Sequence, residues 1–357
     1  MRIARLRLRN LRNIASLDLE LGPGTSVFSG PNGAGKTTIL EGAYLLSHGQ
    51  SFRAARNDVL LQRGQDAFST RAEVSRASGA IRLGLDWRDG AWRAAINESP
   101  VSSIGNLLRE FALVAFEPGN HGLISGDSRE RRRFLDWGVF HVEPAYLSRA
   151  RQYRRALRQR NALLKQAGSD RELDLWDAEL ARTAEPLADQ RRRYFAGFER
   201  ELAAVGKRLL PELGLVEVAL NPGWAQDESL AEALRRARPR DRVRGHTSRG
   251  PHRADFSLRF ADAPAREHLS RGQEKLCALA CVVAQAQLHA SMTGDWPVVV
   301  LDDLPSELDE PHQRAVLELL AATPAQILIS GIEAPRCVAG SPVRVFHVER
   351  GHVSGLL

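Results

Sequence analysis

Gly30-Pro31-Asn32-Gly33-Ala34-Gly35-Lys36-Thr37 fits the pattern G-x-x-x-x-G-K-[ST], and each position has a chemical task. Glycines let the loop curl until successive backbone N–H groups face one cluster of phosphate oxygens. Lys36 then neutralises the β and γ oxygens, and the Thr37 hydroxyl offers a ligand to Mg²⁺. Far along the chain, Val298 to Leu301 reads as a buried strand ending in Asp302 and Asp303. Such a strand delivers the first carboxylate to a metal shell and leaves the second to orient or deprotonate a water for attack on the γ-phosphate. An ordinary solvated turn would look the same in isolation. A P-loop needs an acidic partner, however, and nothing else in the chain supplies one so well. A third element, Ser270-Arg271-Gly272-Gln273-Glu274-Lys275, precedes an apolar run. Its serine hydroxyl, glycine N–H and helix N-terminus can form a second phosphate clamp, or Ser270 can simply cap a helix.

These residues need elements to hold them. Ile3, Leu6 and Leu8 against Arg5, Arg7 and Arg9, and Leu17, Leu19 and Leu21 against Asp18 and Glu20, alternate as half-buried strands. Thr25 to Ser29 is a third strand, so the glycine loop lies between a strand and a helix. Further alternation from Ala67 to Ala95, broken at Ser78-Gly79 and Asp89-Gly90, predicts an antiparallel meander. From Asp127 to Pro211 the texture changes to Arg, Leu, Ala and Glu, and three to four helices are expected. Strands return near Val216 to Leu220 and Phe256 to Phe260, followed by the long apolar helix, Val298 to Leu301 and a last strand near Ile327 to Ser330. The arrangement predicts an α/β fold: a P-loop ATPase head of the ABC type, with a mixed sheet, flanking helices and a meander, built from residues 1–125 and 211–357. A helical arm, 126–210, is inserted between the halves.

The 357 residues carry 50 Lys and Arg against 43 Asp and Glu, a formal charge of +7, and only four are lysine. Residues 127–211 hold 19 basic and 13 acidic side chains. Within them Arg151, Arg154, Arg155 and Arg158 share one helical face, with no acid from Ser148 to Lys165. That face suits backbone contacts to double-stranded DNA, weak in sequence preference and salt-dependent, or is a solvated face. A second concentration, Arg235 to Arg253, is read as a loop contacting the same duplex, some of its arginines serving the head instead. The longest strictly apolar stretch lies within Leu276 to Ala284, short for a membrane span, and a cytoplasmic protein is expected. Cys277, Cys281 and Cys337 are read as buried thiols.

Taken together, these motifs make the chain resemble the RecF family of bacterial recombination-repair ATPases, related to SMC heads. The resemblance covers nearly the whole length. It is carried by GPNGAGKT, LLSHGQSFR (Leu45 to Arg53), GDSRERRRFLD (Gly126 to Asp136), RGPHRADF (Arg249 to Phe256), LSRGQEKL (Leu269 to Leu276) and LDDLPSELD (Leu301 to Asp309). It implies that ATP and Mg²⁺ are the cofactors, that Asp302 holds the metal and that Asp303, with Lys36, is catalytic. It also implies that Ser270, Gly272 and Gln273 complete the nucleotide site of a second head in an ATP-dependent homodimer, that Ser306 to Asp309 contact the opposite subunit, and that Arg12 stands near the phosphates. By the same resemblance the partners are duplex DNA at ssDNA/dsDNA junctions and the RecO and RecR mediators, in support of RecA loading. The chain departs from the family pattern where Ala254 replaces an acid, and where Phe116-Glu117-Pro118-Gly119-Asn120 stands for the expected Phe-x-Pro-Glu-Asp-Leu. No Q-loop glutamine is evident, and Ser330-Gly331 stands where transporter ATPases carry a switch histidine. His252 is left between a phosphate or carboxylate partner and a structural hydrogen bond. Two rival readings are a transporter ATPase subunit and an SMC-like tether, which would need long heptad runs.

Overall fold

A computed structural model describes residues 1–166, 168–225, 227–262, 269–336 and 343–356, so Cys337 lies outside the described residues. The chain begins with strands β1 (Arg2–Leu11), β2 (Ile14–Glu20) and β3 (Thr25–Ser29), then helix α1 (Lys36–His48). The meander follows as β4 (Ala67–Arg76), β5 (Gly79–Arg88), β6 (Ala91–Ile96) and β7 (Ser99–Pro100), then α2 (Ile104–Arg109), β8 (Leu113–Phe116) and the one-turn α3 (Gly122–Ser125). Helices α4 (Ser128–Val142), α5 (Tyr146–Lys165) and α6 (Asp170–Leu209) come next, then β9 (Val216–Asn221), α7 (Leu230–Arg244) and β10 (Asp255–Phe260). The chain ends with α8 (Arg271–Thr293), β11 (Val298–Leu301), α9 (Leu304–Glu307), α10 (Glu310–Ala321), β12 (Ile327–Gly331), β13 (Val343–Glu349) and β14 (His352–Leu356).

Two six-stranded sheets form the head. One is antiparallel, in the order β2-β1-β4-β5-β6-β7; the other runs β14-β13-β3-β12-β11-β8 and is parallel except at β14. Alternation in β11 explains why a helix or strand must cover each face of the second sheet. Val298 and Val300 join the core around α1 and the antiparallel sheet, while Val299 and Leu301 join the core around α8 and the helical lobe. α1 is thus held between the two sheets, and the glycine loop between β3 and α1 opens at the carboxyl end of the parallel strands, where α/β sheets bind ligands.

α8 is long and apolar enough to cross a bilayer, but most of its residues are buried against α6, α4 and the central sheet. Burial pushes the Cys277 thiol up to about 12 and Cys281 well above its usual value. Residues 126–210 contain α4, α5 and the 40-residue α6, which opens on a Ser169/Glu172 capping box and continues through Pro186. α6 packs along α5, α7 and α8.

The Arg235–Arg253 segment corrects the loop reading: residues up to Arg244 form α7. Arg238 donates to Asp174 and Asp177 at 2.6 and 2.7 Å, Arg242 to Asp170 at 2.7 Å, and Arg236 to Glu228 at 2.5 Å. Beneath them the fully buried Arg160 bridges Asp177 (2.6 Å) and Asp241 (2.8 Å).

Candidate functional site

The glycine loop is braced from both ends of the chain. The turn between β1 and β2 supplies Asn13, whose Nδ2 donates to Gly33 O at 2.9 Å and whose Oδ1 accepts from Thr38 Oγ1 at 3.1 Å. From the other end, Gly351 N donates to Ala34 O at 2.7 Å, and Gly30 N to Ile332 O at 3.1 Å. Gly30 has φ 148°, and a Cβ there would stand 2.1 Å from Val348 O, so only glycine fits. Gly35, at φ 116°, opens α1 with its N–H groups toward the loop.

Inside this frame Lys36 Nζ donates to Gly30 O (2.8 Å) and Pro31 O (2.9 Å). Burial lowers its pKa, against the opposite pull of Asp303 and Asp302. Thr37 Oγ1 donates to Asp302 Oδ1 at 2.9 Å, which brings together two residues 265 positions apart. Asp302 is buried at the end of β11, its N–H held by Phe116 O at 2.8 Å. Burial raises its carboxyl pKa; hydrogen bonds from Ser330 and Thr37 and the charge of Arg53 lower it, and Asp303 raises it further. Asp303 takes left-handed backbone angles (φ 54°, ψ 35°), and its Oδ1 accepts from Ser306 Oγ at 3.0 Å.

Arg12 is clasped by the buried Glu41 of α1, with Nε donating to Oε2 at 2.5 Å and Nη2 to Oε1 at 2.9 Å, so its charge is already neutralised beside the P-loop helix. Ser270 caps α8: its Oγ accepts from Gln273 N at 3.2 Å, while Gln273 Oε1 accepts from Ser270 N at 2.9 Å. With Gly272 exposed, this N-terminus makes no hydrogen bond to the chain's own glycine loop among the described residues. Lys275 reaches Glu307 at 2.8 Å, joining α8 to the turn after Asp303. Arg151, Arg154, Arg155 and Arg158 are exposed on α5, and none has a carboxylate partner among the described residues; Arg151 donates to Ser103 Oγ at 2.8 Å.

Two of the segments that carry the family resemblance are wired to each other. Arg131 holds Asp255 (2.6 and 3.1 Å), Arg132 donates to Ala254 O at 2.7 Å, and Arg191 spans Asp136 (2.8 Å) and Pro251 O (2.6 Å). Ala254 is buried and contributes only its carbonyl to this clasp, so the lost acid leaves no vacant partner. His252 Nε2 lies 2.9 Å from Thr247 O and its Nδ1 2.6 Å from Tyr153 Oη. A carbonyl only accepts, so Nε2 carries the proton and Nδ1 accepts from Tyr153. Burial pushes its pKa down to about 4. The structural hydrogen bond is therefore the alternative realised.

Sequence reasoning missed Asn13, which belongs to no motif, and assigned no task to Arg53, in a quoted family segment, or to Ser330, noted only as standing where transporter ATPases carry a switch histidine. Only folding brings them to the loop and to Asp302.

Residues 2–354 match the family described as the RecF/RecN/SMC N terminal domain. The DNA replication and repair protein RecF of Stenotrophomonas maltophilia is 46% identical over 99% of both chains, and that of Xanthomonas euvesicatoria 46% identical over 99% of this chain and 98% of its own. The solved structure of the recombination mediator protein RecF-ATP in the RecFOR pathway superposes with a TM-score of 0.89 at 25% identity, covering 99% of this chain and 97% of the other. An SMC head bound to the C-winged helix domain of ScpA, at 14% identity and a TM-score of 0.61, shares the fold. The chain belongs to the RecF/RecN/SMC family and, within it, to the RecF DNA replication and repair proteins.

Proposed function

We propose that this chain is an ATP-dependent DNA-binding protein of recombinational gap repair. ATP joins two heads, the paired arms clamp duplex DNA near ssDNA/dsDNA junctions, and slow, DNA-stimulated hydrolysis releases it. The observation that carries the reading is the convergence of Lys36, Thr37 and Asp302 at the mouth of the glycine loop, with Thr37 and Asp302 2.9 Å apart. The Thr37 hydroxyl and the Asp302 carboxylate, whose Oδ2 accepts no hydrogen bond among the described residues, are hard oxygen donors that fit Mg²⁺. Among the described residues no group of three or more His, Cys, Asp or Glu suits a metal, so the ion's other ligands would be water and phosphate oxygens. Thr37 and Asp302 would hold it; bound there, it neutralises charge developing on the phosphates. Lys36 exchanges its two loop carbonyls for phosphate oxygens, and Asp303 accepts a hydrogen bond from the attacking water. The exposed α8 N-terminus is free to meet the nucleotide of a second head.

The relative described in the RecFOR pathway supports RecO and RecR as partners; RecA loading as the outcome and a cytoplasmic setting rest on the family resemblance. The tether reading has less support, because α6 folds back along α5 and α8. Sedimentation with and without ATP, beside duplex binding over a salt series, tests the proposal. Asp303→Asn should slow hydrolysis by at least about a hundredfold and accumulate as an ATP-bound dimer. A variant that stays monomeric with ATP, together with duplex affinity indifferent to salt, would refute the clamp.

A further inference from the structure

We propose that Ser330 is a positioning residue of the nucleotide site, whose hydroxyl locks the two acidic positions after β11 into one geometry. The proposal rests on the nucleotide-site reading above and deepens it. Ser330 lies on β12, the parallel neighbour of β11, and is 1% exposed. Its Oγ is 2.5 Å from Asp302 Oδ1 and 2.8 Å from the backbone nitrogen of Asp303. A hydroxyl has one proton. The N–H of Asp303 can only donate, so the serine lone pair faces it and the serine proton goes to Asp302. Both capacities are therefore committed, one to each acidic residue.

Two consequences follow. Ser330 and Thr37 both donate to Oδ1 of Asp302, fixing its rotamer and leaving Oδ2 without a hydrogen bond among the described residues. Asp303 takes a left-handed conformation that side chains other than glycine seldom adopt. Ser330 satisfies the N–H that this turn carries out of the sheet, and so supports the backbone that aims the Asp303 carboxylate. The next residue cannot share the task. A Cβ on Gly331 would stand 2.8 Å from Glu333 O and 3.0 Å from two Pro305 ring atoms, so the strand end has no room for a switch histidine. The polar function therefore sits one residue earlier, as a hydroxyl.

A purely structural serine and a positioning serine differ in one measurable respect, the dependence of nucleotide affinity on magnesium. Binding of a fluorescent ATP analogue would be measured with MgCl₂ and with EDTA for the native chain, Ser330→Ala, Ser330→Thr and Ser330→Val. The last two add the same bulk and differ only in the hydroxyl. Loss of a hydrogen bond to a charged group predicts that Ser330→Ala loses about tenfold or more of the gain in affinity conferred by Mg²⁺, with affinity in EDTA within about twofold of native. Ser330→Thr should retain more of that gain than Ser330→Val. A native-like gain in Ser330→Ala, an equal fall with and without Mg²⁺, or identical behaviour of the Thr and Val variants overturns the proposal. Failure of the native chain to bind the analogue overturns the nucleotide-site reading, and the proposal with it.

Discussion

α5 and α7 are both rich in arginine and put it to opposite uses. On α7, Arg236, Arg238 and Arg242 each hold a carboxylate, and Arg238 is only 11% exposed. On α5, Arg151, Arg154, Arg155 and Arg158 stand in solvent with no acid in reach among the described residues. Two residues past Arg158, on the opposite face of the same helix, Arg160 is fully buried between Asp177 and Asp241. Basic composition alone does not make an electrostatic surface. The decisive factor is whether folding brings acids alongside, and α6 supplies Asp170, Asp174 and Asp177 to α7 while offering none to the outer face of α5.

The contrast can be broken by substitution. Arg160→Ala would leave the buried Asp241 without its ion-pair partner and Asp177 with Arg238 alone, and should cost about 3–5 kcal/mol of stability in denaturant unfolding, whereas Arg158→Ala should change it by less than about 0.5 kcal/mol. Comparable losses would erase the distinction. The link from α5 to the segment after α7 is next in size. His252 titrates at about 4 in the fold against a usual 6.5, so the unfolded chain binds the extra proton first as pH falls. Stability is complete above about pH 6.5 and is lost as pH drops toward 4, by about 2 kcal/mol at pH 5 from this residue. His252→Gln should flatten that part of a melting-temperature profile; an unchanged slope would assign it to other buried histidines such as His289, also pushed down to about 4. The smallest effect expected is on binding. Arg151→Glu with Arg155→Glu should weaken duplex affinity by about tenfold at moderate salt and reduce the salt slope by about 2, with ATP affinity unchanged. Unaltered DNA binding would make the α5 face a solvated one.

Legibility in the sequence followed the range of the interactions. The glycine loop, Val298–Asp303 and the Ser270 cap are local patterns, and the meander declared itself through alternation and Gly turns. α7 escaped because its buried side changes from Leu230, Ala233 and Leu234 to Asp241, and Pro239 interrupts it, so apolar periodicity fails where ion pairs take over the packing. Asn13 escaped because it has no motif and reaches the glycine loop from a turn, and the task of Ser330 escaped because it meets Asp302 only through the pairing of β12 with β11. The basic excess of residues 127–211 does not say which arginines are free, since Arg131, Arg160 and Arg191 are paired inside the lobe.

The bracing of the glycine loop also bears on the order in which the protein can be made. β3 is flanked by β12 and β13, and the loop leans on Gly351 and Val348, so the first functional motif to leave the ribosome waits about 300 residues for its neighbours. The intervening helices find their partners, α8 and β10 among them, before β12 and β13 are made. Translation thus completes the lobe before the catalytic loop, and a chain released early would display an apolar β3 with both edges bare, a target for chaperones rather than for nucleotide.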